Sequence, residues 1–215
     1  DYALMSDAID TTAAPTVAVF DAFAGKDPCV REVHAALSAL GANVSVTTNP
    51  AEAATADGMV VAASGDTTVA LRALLASQAD RVVGQRLAGS RPVLVVGAAM
   101  DALFERGPQE EAGFGEWPGG VDKLAAPVNR ATVAAAEGSA MLAGDAEFVF
   151  DAHTGVSNFE LAQDEFIAYP KLSWAEGMPV LAGVENGPLW AVRFHPERSG
   201  EAGAAVLRNW IAQLG

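Results

Sequence analysis

Cysteine is almost absent from this chain of 215 residues: Cys29 is the only one. No internal disulfide can form, and neither can a zinc cluster of the Cys-x-x-Cys kind. Bases are scarce as well. Thirteen Lys and Arg stand against 27 Asp and Glu, a formal net charge of −14. The basic patches that grip nucleic acid or an anionic membrane are therefore missing, and neither partner is expected. Long apolar runs are lacking: none approaches the ~20 residues that cross a bilayer. Histidine is rare, and His34 and His153 stand alone with no Cys or His spaced to join them. No metal and no cofactor are expected from such a set. The opening stretch, DYALMSDAIDTTAAP, has neither a basic start nor an apolar signal core. Met5 followed by SDAID reads as a natural start. Residues 1–4 are then a remnant of expression, and residues 1–15 a flexible tail. A cytoplasmic location is the expectation.

What is abundant is apolar: 51% of residues are hydrophobic and 19% charged, enough for one sizeable core. The first half alternates strand and helix signals. TVAVFDAF (16–23) is a short strand. CVREVHAALSALG (29–41) carries apolar residues at helical spacing and ends on Gly41. NVSVTTN (43–49) alternates as a strand does, a short helical piece follows, and Met59–Ala63 is the third strand. Residues 67–90 hold one or two helices. RPVLVVG (91–97) is hydrophobic throughout, as a central parallel strand is, and AAMDALFERG (98–107) is the helix after it. This βαβαβα order predicts a doubly wound parallel sheet. The second half reads as strands and turns, with ENG (185–187) a hairpin turn. GAAVLRNWIAQLG (203–215) is a closing amphipathic helix. The expectation is one domain over 16–215, an α/β/α sandwich with a mixed, mainly parallel central sheet. The strands at 17–20, 59–62 and 92–96 are central, and the 181–194 hairpin extends the sheet. Trp117, Trp174, Trp190 and Trp210 read as packing.

FHPERSG (194–200) is the sharpest local motif. His195 follows a strand, and Glu197 is placed to hold its imidazole in one orientation. The other ring nitrogen is then free to take a proton from a nucleophile. A strand running into a helix through a tight turn of small residues, at Gly97, Ala98 and Ala99, is where such a nucleophile sits in many α/β enzymes. No nucleophile is there.

DGMVV (57–61), VVGQRLAGSRPVL (82–94), LFERG (103–107), GEWPGGVDKLAAPV (115–128) and the long run GVENGPLWAVRFHPERSGEAGAAVLRNWI (183–211) give these motifs a setting. With them the chain resembles class I glutamine amidotransferases, nearest to the glutaminase subunit of imidazole glycerol phosphate synthase, over nearly all of 16–214. The resemblance implies a flavodoxin-like fold. It also implies a Gly-x-Cys-x-Gly elbow whose Cys attacks the glutamine amide. The matching positions are Val95 to Ala99, and the nucleophile position is Gly97. The family's Pro-Gly-Val-Gly segment, which supplies oxyanion amides, is here Ala62, Ala63, Ser64 and Gly65; Ala98 follows the elbow. The pocket Gln is Asp101. A Pro-His-Met-Gly-Trp-Asn loop is deleted between Val128 and Thr132. The Val-His-Ser-Tyr strand end reads Val149, Phe150, Asp151 and Ala152.

Only His195 and Glu197 remain of the implied triad. The leading expectation is therefore a catalytically inactive homologue kept as a binding or regulatory protein. Its partner is a (β/α)₈ cyclase-type subunit or another protein, with a small ligand in the vestigial pocket. Two alternatives stay open: an enzyme with new chemistry in the remodelled cleft, or the ordinary synthase subunit, which Gly97 opposes. Ser64 with His195 is a conceivable new pair. Asp101 and Asp151 could face the old pocket as solvated residues or as a cation or amine site. Cys29 reads as a small buried thiol away from the elbow, and the cleft beside Gly97 is expected to be wide.

Overall fold

A computed structural model describes residues 13–161 and 169–215. Most of the expected tail, and part of the FIAYP run, lie outside these residues. The chain order is β1 (Thr16–Phe20), α1 (Pro28–Ala39), β2 (Asn43–Thr47), α2 (Pro50–Thr55), β3 (Gly58–Ala63), α3 (Thr67–Ala76), α4 (Ala79–Ala88), β4 (Val93–Gly97), α5 (Ala98–Asp101), β5 (Phe104–Arg106), β6 (Trp117–Gly120), β7 (Asp122–Ala134), β8 (Ala146–Gly155), β9 (Lys171–Ala175), β10 (Leu181–Asn186), β11 (Leu189–Val192), a 3₁₀ turn (Pro196–Arg198) and α6 (Gly200–Ile211).

Nine strands form one sheet in the order β2-β1-β3-β4-β11-β10-β9-β7-β8. The run from β2 to β11 is parallel, and β10, β9, β7 and β8 pair antiparallel. β4 is thus interior, and the β10–β11 hairpin extends the sheet. Period-two alternation explains why the central strands are apolar throughout. Val17, Val19, Val60, Ala62, Leu94 and Val96 join one core with residues of α1 and α6. Ala18, Phe20, Met59, Val61, Val93 and Val95 join a second core with α3 and α4 on the other face. Both faces are covered, so neither can be polar. The result is the three-layer α/β/α sandwich.

Local chemistry sets the ends. Asp27 caps α1 by accepting from Cys29 N, with Pro28 in the first turn. Gly187 (φ +59) makes the β10–β11 turn, as ENG predicts. Arg86, buried in α4, donates to the carbonyls of Ala53, Ala54, Ala56, Asp57 and Pro92. It ties the loop before β3 to the loop before β4. Burial and nearby Arg91 lower its pKa to about 10, which leaves it charged at neutral pH.

Two expectations need correcting. The helix after β4 is α5, four residues, not a run to 107. Phe104 is drawn instead into β5, where it pairs with Trp117 of β6 and stacks edge-on against that ring. The closing helix begins at Gly200, three residues earlier than its apolar spacing suggests, once the 3₁₀ turn has ended. At the expected deletion, β7 continues as one strand paired with β8, with shifts of register at Lys123/Val128 and Val128/Arg130.

Candidate active site

β4 passes directly into α5 through a tight turn at Gly97. Gly97 ends β4 with φ +69 and ψ −135, a conformation that L-residues rarely adopt. It pairs with Ala63 at the end of β3, and Ala98 starts α5. A Cβ added at Gly97 would press into the Ala63 carbonyl oxygen and lie 2.6 Å from His195 Cε1 and 3.0 Å from its Nε2. The space expected to be wide beside Gly97 is closed by the imidazole. Without a side chain at 97, the ring packs where a thiol would need room.

His195 is fully buried. Its Nδ1 lies 2.6 Å from Glu197 Oε1. In the neutral ring Nδ1–H donates to the carboxylate, which leaves Nε2 aimed at Gly97. Among the described residues Nε2 has no hydrogen-bond partner, and neither has Glu197 Oε2. The 3₁₀ turn that carries Glu197 is pinned by Ser199 Oγ, which donates to His195 O and accepts from Val149 N. The pair thus fixes the crossing from β11 to α6. A charge-assisted hydrogen bond is worth about 1.5–3 kcal/mol. His195→Ala and Glu197→Ala are each expected to lower the melting temperature by about 4–10 °C, read by circular dichroism.

The neighbouring amides are taken. Ser64 N donates to Asp27 Oδ2 at 2.8 Å, and Gly65 N to Asp151 Oδ2 at 3.0 Å. Successive N–H groups beside a positive-φ glycine (Gly65, φ +76) form an anion-binding concavity. In an acyl-transfer enzyme such donors must stay free for the oxyanion. Here two carboxylates of the chain itself occupy them. Ser64 Oγ donates to Asp27 Oδ1 at 2.6 Å, which corrects the idea of a Ser64–His195 pair. The hydroxyl is committed elsewhere.

Burial alone would raise the Asp27 carboxyl. The hydrogen bonds from Ser64 and Cys29 outweigh it and hold Asp27 below its ordinary 3.8. A lowered folded pKa stabilises the fold above the ordinary value and loses that contribution as pH falls through the folded one. Asp27→Ala is expected to cost about 2 kcal/mol at pH 7. The gap from the parent should shrink as pH falls below the ordinary carboxyl value of 3.8 and through the lowered folded one, as followed by urea unfolding.

Asp101 is no solvated pocket residue. It is fully buried, and its Oδ2 accepts from Thr67 Oγ1 (2.9 Å), Thr154 Oγ1 (2.7 Å) and Arg193 Nε (3.2 Å). Burial pushes its carboxyl up, and Arg193, Thr154 and Thr67 pull it back. Asp151 is half-buried, 4.0 Å from His153 and engaged by the Gly65 amide. The two acids therefore do not face one cleft. Cys29 also needs correcting. It is buried at the start of α1, yet its sulfur lies within 4.8 Å of donor atoms of both His195 and Glu197. Burial, Asp27 and Glu197 all push its thiol well up, so it is no ready nucleophile.

Asp27, Thr67, Thr154 and Arg193 escape a reading of motifs. Only Asp27, as Asp-Pro ahead of an apolar periodic run, carries a local signal, that of a helix cap.

No family model matches the chain. The subunit HisH of imidazole glycerol phosphate synthase from Thermobifida fusca is 42% identical over 212 residues, covering 93% of this chain and 99% of that one. The chain belongs to the HisH family. HisH from Nocardia farcinica is 43% identical over 210 residues, covering 93% and 98%. Among solved structures, PurLQS from Thermotoga maritima aligns with TM-score 0.70 at 15% identity over 94% of this chain and all of that one. A glutamine amidotransferase aligns with TM-score 0.67 at 17% identity over 92% and 97%. These two share the fold, and the HisH family supplies the frame for the site. In this chain Gly97 ends β4 without a side chain, and His195 and Glu197 are hydrogen-bonded to each other.

Proposed function

We propose that this HisH-family chain no longer hydrolyses glutamine and serves as a binding or regulatory protein built on the amidotransferase scaffold. One observation carries the reading. Gly97 offers no nucleophile, and the two amides beside it, Ser64 N and Gly65 N, are filled by Asp27 and Asp151. A thioester needs a thiolate, and its formation needs free donors for the oxyanion. The losses reinforce one another: a nucleophile restored alone would still face occupied amides.

The partner we infer is a (β/α)₈ cyclase-type subunit, because the resemblance that identifies the fold also implies that docking. An apolar hollow of about 290 Å³, lined by Leu124, Pro127, Val128, Met178 and Val180, adjoins the β7 bulge where the family's loop is missing. It supplies apolar surface of the kind that protein contacts use. The test mixes the purified chain with the cyclase-type subunit of its own host and follows mass by analytical ultracentrifugation. A one-to-one complex supports the reading. Two unassociated species at micromolar concentration would remove the cyclase from it.

A further inference from the structure

We propose that Cys29, His195 and Glu197 form a site for one divalent transition-metal ion, with Zn²⁺ the best-fitting one. The sulfur, a ring nitrogen and a carboxylate oxygen lie within 4.8 Å of one another. The three come from separate places: Cys29 from the first turn of α1, His195 from the end of the β11 segment, Glu197 from the 3₁₀ turn. All three side chains are fully buried.

A second observation points the same way. One buried atom of this cluster, Glu197 Oε2, has no hydrogen-bond partner among the described residues, and the ring nitrogen facing that carboxylate is Nδ1. Unmet buried polar atoms are costly, and a cation among these groups would draw on donor capacity that the protein leaves idle.

Charge and chemistry agree. A thiolate and a carboxylate together carry two negative charges, which a divalent ion cancels, so the buried site becomes neutral. Arg198, 3.9 Å from Glu197 Oε1, is already paired with Glu32. Thiolate, imidazole and carboxylate are zinc ligands, whereas Mg²⁺ and Ca²⁺ take oxygen alone. Tetrahedral zinc at its usual bond lengths sets donors about 3.3–3.6 Å apart. The His195–Glu197 contact opens from 2.6 Å, and the sulfur, within 4.8 Å of both, closes in. Binding replaces the thiol proton by the metal: the S–H bond breaks, the metal–sulfur bond forms, and that proton leaves to water; as Nδ1 of His195 takes the metal its own proton moves to Nε2, and no electron is transferred. Three protein ligands leave a fourth position open. Glu197 also borders a hollow of about 200 Å³ between α1 and α6.

The high thiol pKa of free Cys29 fits a group that ionises only when a metal displaces its proton. The site does not depend on whether glutamine is hydrolysed.

Cobalt(II) is the probe, because a thiolate bound to it gives an intense near-ultraviolet charge-transfer band. With one cysteine in the chain, that band has a single possible source. Anaerobic titration of the full-length chain with Co²⁺ should raise the band to saturation at one equivalent, and Zn²⁺ should bleach it. Cys29→Ser should abolish it, with folding checked by circular dichroism. Glu197→Gln should weaken binding by at least about tenfold, and His34→Ala with His153→Ala should leave it unchanged. No band in the parent protein, or a band untouched in Cys29→Ser, overturns the proposal. If Cys29→Ser fails to fold, the parent titration decides alone.

Discussion

Incubated with glutamine, alone or with a cyclase-type subunit, the chain is expected to release no glutamate above the uncatalysed rate. Loss of a nucleophile within a working triad costs about six orders of magnitude in kcat, and what then remains rests on binding and the oxyanion hole. On the proposed reading that residual rate is not expected either, because Asp27 and Asp151 hold the Ser64 and Gly65 amides. Gly97→Cys should therefore not rescue activity. It should also destabilise the fold. Its Cβ would meet the Ala63 carbonyl and the His195 ring at φ +69. Overpacking costs about 1–3 kcal/mol, and a left-handed L-residue adds about 1–2. The assay is coupled glutamate detection on parent and variant, with urea unfolding of both. Glutamate release that depends on His195 would contradict the expectation.

Asp101→Ala is expected to be the most damaging single substitution. It leaves the Arg193 guanidinium buried, only 1% exposed, with no anion. Breaking a buried pair in this way costs about 3–5 kcal/mol, or a melting temperature lower by about 6–20 °C in a domain of this size. The pair is not by itself a source of stability. Among the described residues Asp101 Oδ1 and both terminal nitrogens of Arg193 have no hydrogen-bond partner. Asp101→Leu combined with Arg193→Met should therefore recover most of the loss, since apolar replacement of a buried pair is often neutral or better. Melting curves of the single and double variants decide it. A double variant as unstable as Asp101→Ala would show that the cluster stabilises through more than mutual neutralisation.

The layers of the fold are legible in the chain because burial on both faces leaves a plain mark. Val93–Val96 and Met59–Ala63 have no polar residue to place on either side, so their central position follows. The short α5 is not legible. AAMDALFERG scores as a helix, and only the distant Trp117, which stacks on Phe104, draws the segment into a strand. The empty elbow at Gly97 is legible as a missing residue type. What fills its surroundings is not: Asp27 and Asp151 reach the Ser64 and Gly65 amides from 37 and 86 residues away. For the same reason Asp101 passes for a pocket residue until Arg193, 92 positions on, is seen beside it. Cys29 passes for an isolated thiol until α1 brings it against His195. Side-chain identity is local, and electrostatic partnership depends on the folded sheet.

The central claim, that no nucleophile operates at this elbow, is tested most directly with an electrophilic glutamine analogue that captures such a group covalently. Intact-mass spectrometry after prolonged incubation should return the unmodified mass, including Cys29 in its unreacted form. A stoichiometric adduct that excess glutamine prevents from forming would contradict the account.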